Sequence, residues 1–308
     1  GVRVFFVISG FVICRLLMLE EKRYGAVSLK AFYIRRVFRI LPPFYLYLAV
    51  LSILMALGMI PGKWPGVVNS ALFLYDILPA MVGNWFNGHS WSLAVEEQFY
   101  LTFPAIWLLS RKNIGRGRAV IAIYLLILGW NLASAIFWWN HWTAFNIRAG
   151  FASICCGVIM ATFESRVRAL ARFIPAVIVA AMGLSVLWHP APHWNWVSVL
   201  YECVYTPFSI MLVLAFSLER GNLLRRFLCW RPVQAIGVTS YGIYLWQELF
   251  TGRFRFYPPA GRLIPFMLPL LLVIVPCSWF LIEKPAMRFG KSLAERVRRK
   301  PQEVTATA

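Results

Sequence analysis

Two acids and three arginines stand where an otherwise apolar chain has least use for charge. The acids are Glu96 and Glu97, in HSWSLAVEEQFYLTFP at residues 89–104. If a helix starts near Ser90, Glu96 lies about 9 Å along its axis at 1.5 Å per residue. A carboxylate inside a bilayer costs about 2.5–3.5 kcal/mol on insertion scales and normally faces a cavity or a partner. Adjacent helical positions point about 100° apart, so the two acids are poorly placed to form one carboxylate dyad. Ser92, Glu96 and Tyr100 share a face at a spacing of four. Such a carboxylate could orient a reacting group or handle its proton. The plainer reading is a structural polar network, or a pair to an arginine.

The arginines are Arg35, Arg36 and Arg39, in FYIRRVFRILPPFY at residues 32–45. On a helix they fall within one arc of about 100°. Three guanidiniums converging there suit a ligand with several phosphates, because the planar fork pairs bidentately with phosphate oxygens. Anchoring to anionic lipid headgroups accounts for the same spacing, and the residues alone leave both readings open. In GVTSYGIYLWQELF, residues 237–250, Ser240, Tyr244 and Gln247 line one helical face, with Tyr241 and Glu248 on its flank. Hydroxylated and small residues are ordinary packing contacts between membrane helices, and here that reading leads.

The elements that must position these groups are membrane helices. The chain has 308 residues, 60% of them hydrophobic and only 14% charged, with mean hydropathy +0.67. A soluble domain carries about a quarter charged residues. Apolar stretches predict nine spans, near 2–19, 41–59, 91–110, 119–138, 149–164, 173–188, 197–216, 233–251 and 263–282. The interrupted stretch 66–83 reads as an interfacial or re-entrant segment. Lysine and arginine collect in cytoplasmic loops. The loops at 15–39, 111–118, 166–172, 220–231 and 284–300 hold 25 of the 31. This alternation starts the first span outside and leaves the C-terminus cytoplasmic. His89, His141, His189 and His193 then fall in outward loops or at outer helix ends, where histidine is ordinarily solvated. His89 is the best placed, one turn before the acidic span.

The net charge of +19 would suit a nucleic-acid binder, but it is distributed in short clusters between apolar runs, so no nucleic-acid partner is expected. The six cysteines show no metal-ligand or disulfide spacing, and Cys155 and Cys156 read as packing residues. No metal is expected. Residues 300–308, KPQEVTATA, read as a disordered cytoplasmic tail after a transmembrane domain at 1–299.

Together these stretches resemble the acyltransferase-3 family of bacterial membrane proteins. The pieces that carry the likeness are GVRVFFVISGFVI at 1–13, FYIRRVFRILPPFY, WSLAVEEQFYLTFP and TSYGIYLW at 239–246, with FLIEKPAMRFG at 280–290 resembling the family's last span and exit. The resemblance implies a ten-helix bundle in the bacterial inner membrane that moves an acyl group from cytoplasmic acyl-CoA, usually acetyl-CoA. The acceptor is a hydroxyl of a cell-envelope or exported carbohydrate or glycolipid, with membrane lipid as the surrounding partner. The family's arginine-x-x-arginine motif matches Arg36 and Arg39, which it implies hold the coenzyme A phosphates with Arg35 beside them. Its membrane-embedded acid maps onto Glu96 or Glu97, as catalytic residues.

The family often has an aspartate where this chain has Arg3, and a histidine where it has Gln247. Its first helix, with a basic residue and a histidine eleven positions on, precedes GVxxFF. The resemblance therefore implies that this helix is missing before Gly1, and that the chain as given inserts but does not catalyse. A transporter or exchanger would also hold intramembrane acids, although no internal repeat of the transporter kind is found. A catalytically inactive acyltransferase-like protein is the other alternative.

Overall fold

Apolar residues recurring at helical spacing fold here into helices throughout. The computed structural model describes all residues except 77–84, 114, 138–141, 174–198, 220, 252–263 and 307–308. Among the described residues there are twelve α-helices and no strand, the all-α membrane architecture expected. They fall into two compact units, Gly1–Ala26 with Ser92–Trp230, and Val27–Trp91 with Arg231–Ala308.

The first unit is built on α1 (Val2–Tyr24), α4 (Ser90–Asn113, from Ser92 on), α5 (Arg116–Phe137), α6 (Trp142–Thr162), α7 (Glu164–Phe173), α8 (Thr206–Ser217) and α9 (Leu223–Leu228). Its tightest seam runs between α1 and α6. A Cβ on Gly10 would meet the Ile154 carbonyl, and one on Gly157 would meet that of Val7, so the two backbones touch only because both positions lack side chains. A Cβ on Gly150 would lie 2.9 Å from the Phe6 ring and 3.2 Å from Val95, which draws α4 onto the same pair. Cys155 and Cys156 are buried beside Tyr124 and Cys203 as packing residues. The segment 166–172, expected as a loop, is helical in α7, and α6 turns into it at 97°. Two charge contacts hold it. Arg168 pairs with Glu164 one turn earlier at 2.5 Å, and Arg15 lies 3.6 Å from the same Glu164.

The second unit holds α2 (Leu29–Ala56), α3 (Trp64–Ala71), α10 (Arg231–Thr251), α11 (Ile264–Ser278) and α12 (Lys284–Ala306). Ser28 caps α2 by accepting from the Ala31 amide at 3.3 Å. The helix thus begins well before Arg35 and carries the three arginines in regular helical geometry, through much of the segment expected between the first two spans. The exit 284–300 is likewise helix rather than loop. Lysine, arginine, glutamate and alanine are good helix formers, and α11 passes through a π-helical turn, Trp279–Glu283, directly into α12. α12 runs to Ala306. Gly290 sets α12 on α2, since its Cβ would fall 2.5 Å from that of Phe38.

Four helical runs among the described residues are long and apolar enough to cross a membrane, or five if α6 and α7 count as one broken span. Nine spans were expected. The π-helical turn Tyr201–Tyr205 and α8 together reach 17 residues, Tyr201–Ser217, and most of the span expected at 173–188 lies outside the described residues. In the stretch 66–83, α3 has only eight residues, too few to cross, and positions from 77 on are outside the description.

Candidate functional site

In the first unit a buried polar cluster centres on Glu96. It is 4% exposed, on the inward face of α4. Tyr100, one turn on, donates its hydroxyl to Glu96 Oε1, as the shared face predicts. The second donor is Ser9 Oγ, from α1, to the same oxygen. The Tyr100 hydroxyl also lies 3.2 Å from Ser9 Oγ, closing a buried three-residue cluster across two helices. Gly10, next to Ser9, is the residue that lets α1 approach α6, so one glycine contact seats both the seam and the serine. Glu97, the next residue, is half-buried, with its Oε1 out of contact with solvent. Ser9 lies 87 positions from Glu96. No local pattern points to it, although it stands in the quoted stretch GVRVFFVISGFVI. Arg3 is committed elsewhere, pairing through Nε with Glu202 at 3.1 Å. An acid in place of Arg3 would face that carboxylate as a like charge.

In the second unit a cavity of about 490 Å³ opens beside α2. Its rim carries Arg39, Gln234 and Gly237, all exposed, and its floor carries the buried Tyr241 and Glu283. Of the three arginines only Arg39 lines it. Arg36 lies over the Phe32 ring at 5.6 Å, and Arg35 is half-buried on the same helix. Among the described residues no hydrogen bond or ion pair holds Arg39. Tyr241 donates to the Ile40 carbonyl at 3.0 Å, which ties α10 to α2 next to the cavity. Ser240 bonds back to the Gly237 carbonyl at 2.8 Å within its own helix, an ordinary packing contact. Glu283 has a signal of its own in the sequence, a lone acid at the end of the apolar run FLIE.

His89 is not solvated, as a loop histidine would be. It is 5% exposed, set edge-on between the rings of Tyr47 and Tyr244 at 5.3 Å each. The Tyr244 hydroxyl donates to the His89 carbonyl at 2.9 Å, fixing the turn before α4. Burial pushes the imidazole down to about 4 from its ordinary 6.5. Between those values the unfolded chain binds the proton and the folded one does not, so stability rises with pH across that window. A fall from pH 7 to pH 4 should therefore cost about 3 kcal/mol from this group alone. Thermal unfolding of the purified protein should show that slope, and His89→Phe should flatten it. An equal slope in both proteins would mean that other groups set the acid sensitivity. His141, His189 and His193 lie outside the described residues.

Among the described residues no three histidine, cysteine, aspartate or glutamate side chains group closely enough to hold a metal ion.

The family model described as an acyltransferase domain matches residues 1–283. Peptidoglycan O-acetyltransferase OatA of Listeria monocytogenes is 25% identical over 342 residues, covering 94% of this chain and 48% of that protein. O-acetyltransferase OatA of Staphylococcus aureus (strain MRSA252) is 28% identical over 342 residues, covering 98% and 55%. A putative O-acetyltransferase of Staphylococcus aureus (strain COL) is 37% identical over 126 residues, or 34% of this chain and 19% of that protein. The chain thus spans about half the length of the two OatA proteins. No solved structure matches it.

Proposed function

The chain belongs to the acyltransferase-3 family, and from that premise we propose that it is a bacterial inner-membrane O-acyltransferase using cytoplasmic acyl-CoA. The acyl group is acetyl, and the acceptor is a hydroxyl of a cell-envelope carbohydrate, as the names of the OatA relatives support. One observation carries the donor assignment. Arg39 is a guanidinium on the rim of a cavity, with no ion pair or hydrogen bond among the described residues. An arginine placed to serve the fold is normally paired or stacked, as Arg3 and Arg36 are here. One left open beside a cavity suits an incoming phosphate, which its planar fork binds bidentately. The positive-inside pattern supports a cytoplasmic position for that rim, on the side where acyl-CoA is available.

Arg39 then binds a phosphate of the donor, and Arg36 adds positive potential from its place over Phe32. Glu96 serves the transfer step. Its carboxylate is held by two hydroxyls, so it can orient a proton-bearing group without first reorganising. The attacking group is the acceptor hydroxyl, whose oxygen bonds to the acyl carbon as the carbon–sulfur bond breaks. Coenzyme A departs as its thiol, the sulfur taking up the proton that the acceptor hydroxyl loses.

Membranes containing the full-length protein should bind radiolabelled acetyl-CoA saturably, with displacement by coenzyme A, and should pass label to an envelope carbohydrate. Label binding no better than in membranes lacking the protein would reject the donor assignment. Binding without covalent transfer to any acceptor would leave an exchanger or an inactive relative as the better description.

A further inference from the structure

Glu283 is a buried acid for which the fold makes unusual room. It is 3% exposed, and Ser278 Oγ donates to its Oε1 at 3.1 Å. It closes the π-helical turn Trp279–Glu283, a rare geometry found often at functional sites. Across from it Gly242 has no side chain, and a Cβ there would lie 2.8 Å from the same oxygen. A carboxylate kept from water needs compensation. Among the described residues no cation lies within ion-pairing distance of it, and the arginine that acts on it electrostatically is Arg39. Both residues line the one cavity, the acid on its floor and the guanidinium on its rim.

We propose that Glu283 is a positioning residue that turns the Arg39 guanidinium into the cavity. This rests on Arg39 being the ligand of the donor phosphate. An exposed arginine has many rotamers, and at a membrane surface several of them reach lipid phosphates. A fixed carboxylate on the floor favours the rotamers that point inward, so less conformational freedom is lost when a phosphate arrives. The phosphate binds on the outer side of the guanidinium and meets the carboxylate across the cation. Alignment therefore outweighs repulsion. Ser278 and Gly242 serve the same end by fixing where the carboxylate sits.

The test measures acetyl-CoA and coenzyme A affinity of the purified protein in lipid nanodiscs, beside the transfer kinetics. Glu283→Gln should raise Kd about tenfold, with the loss falling on KM rather than kcat, and Glu283→Asp should recover part of it. In an Arg39→Ala background, Glu283→Gln should change nothing further, because the two act through one contact. Gly242→Ala keeps the acid but pushes it from its seat, and should raise Kd in the same direction even if Glu283→Gln does not fold. Affinity equal to or tighter than the parent's in Glu283→Gln or Gly242→Ala would overturn the proposal. So would effects that multiply with Arg39→Ala. If Arg39→Ala itself leaves affinity unchanged, the donor reading fails first. If Arg39 matters while Glu283 is inert, only the positioning role fails.

Discussion

Glu96→Gln in the full-length protein is expected to remove most acyl transfer, by about a hundredfold or more, while the protein still inserts and folds. The substitution keeps the shape and one carbonyl oxygen, so Ser9 and Tyr100 retain an acceptor. What goes is the negative charge. The fold should therefore lose about 1 kcal/mol, the scale of a single hydrogen bond. Acetyl-CoA affinity should stay at the parent value, because Arg39 is untouched. Turnover and affinity measured on the same preparation separate the two effects. Transfer at the parent rate would return the cluster to structural glue between α1 and α4, and would move the search to Glu97. Ser9→Ala is a useful companion. If the carboxylate works through its orientation, removing one of its two donors should reduce kcat without changing the donor KM.

Arg39→Ala is expected to weaken acetyl-CoA binding by about tenfold to a hundredfold, the equivalent of about 1.5–3 kcal/mol for a charge-assisted contact. Stability should fall only slightly, since this exposed side chain makes no hydrogen bond or ion pair among the described residues and acts on the buried Glu283 only from beyond ion-pairing distance. Arg36→Ala should lose less affinity and more stability, because its guanidinium lies over the Phe32 ring at 5.6 Å. Arg39→Lys should fall between parent and alanine, since it keeps the charge but loses the fork that matches a phosphate. Isothermal titration on the four proteins orders them directly. Equal affinities for all would reduce the arginines to headgroup anchors, the alternative that spacing alone leaves open.

Much of this molecule is decided by residues near one another in the chain. Composition and apolar runs suffice for an all-α membrane protein, because a bilayer requires long apolar helices whose backbone groups are satisfied internally. The pairing of Glu96 with Tyr100 follows from helical geometry, as does placing Arg35, Arg36 and Arg39 on one arc. The basic stretches 166–172 and 284–300 mark where the chain leaves apolar runs. Charge composition alone does not tell a loop from an amphipathic helix lying beside them, and here both are helical.

Tertiary structure decides which partner each polar group finds. Ser9 meets Glu96 where Gly10 and Gly157 let α1 and α6 close to backbone contact and Gly150 leaves room for Phe6 of α1 and Val95 of α4, so the pairing sits among side chains missing from distant segments. Only packing shows that Arg39 faces a cavity while Arg36 lies over a ring. Only packing buries His89 between two tyrosines brought in by α2 and α10. Glu283 is a single letter in an apolar run until Gly242, Ser278 and Arg39 surround it. Spacing along a helix determines which direction a side chain points, whereas what it meets there depends on how closely other helices approach, which no single window of sequence contains.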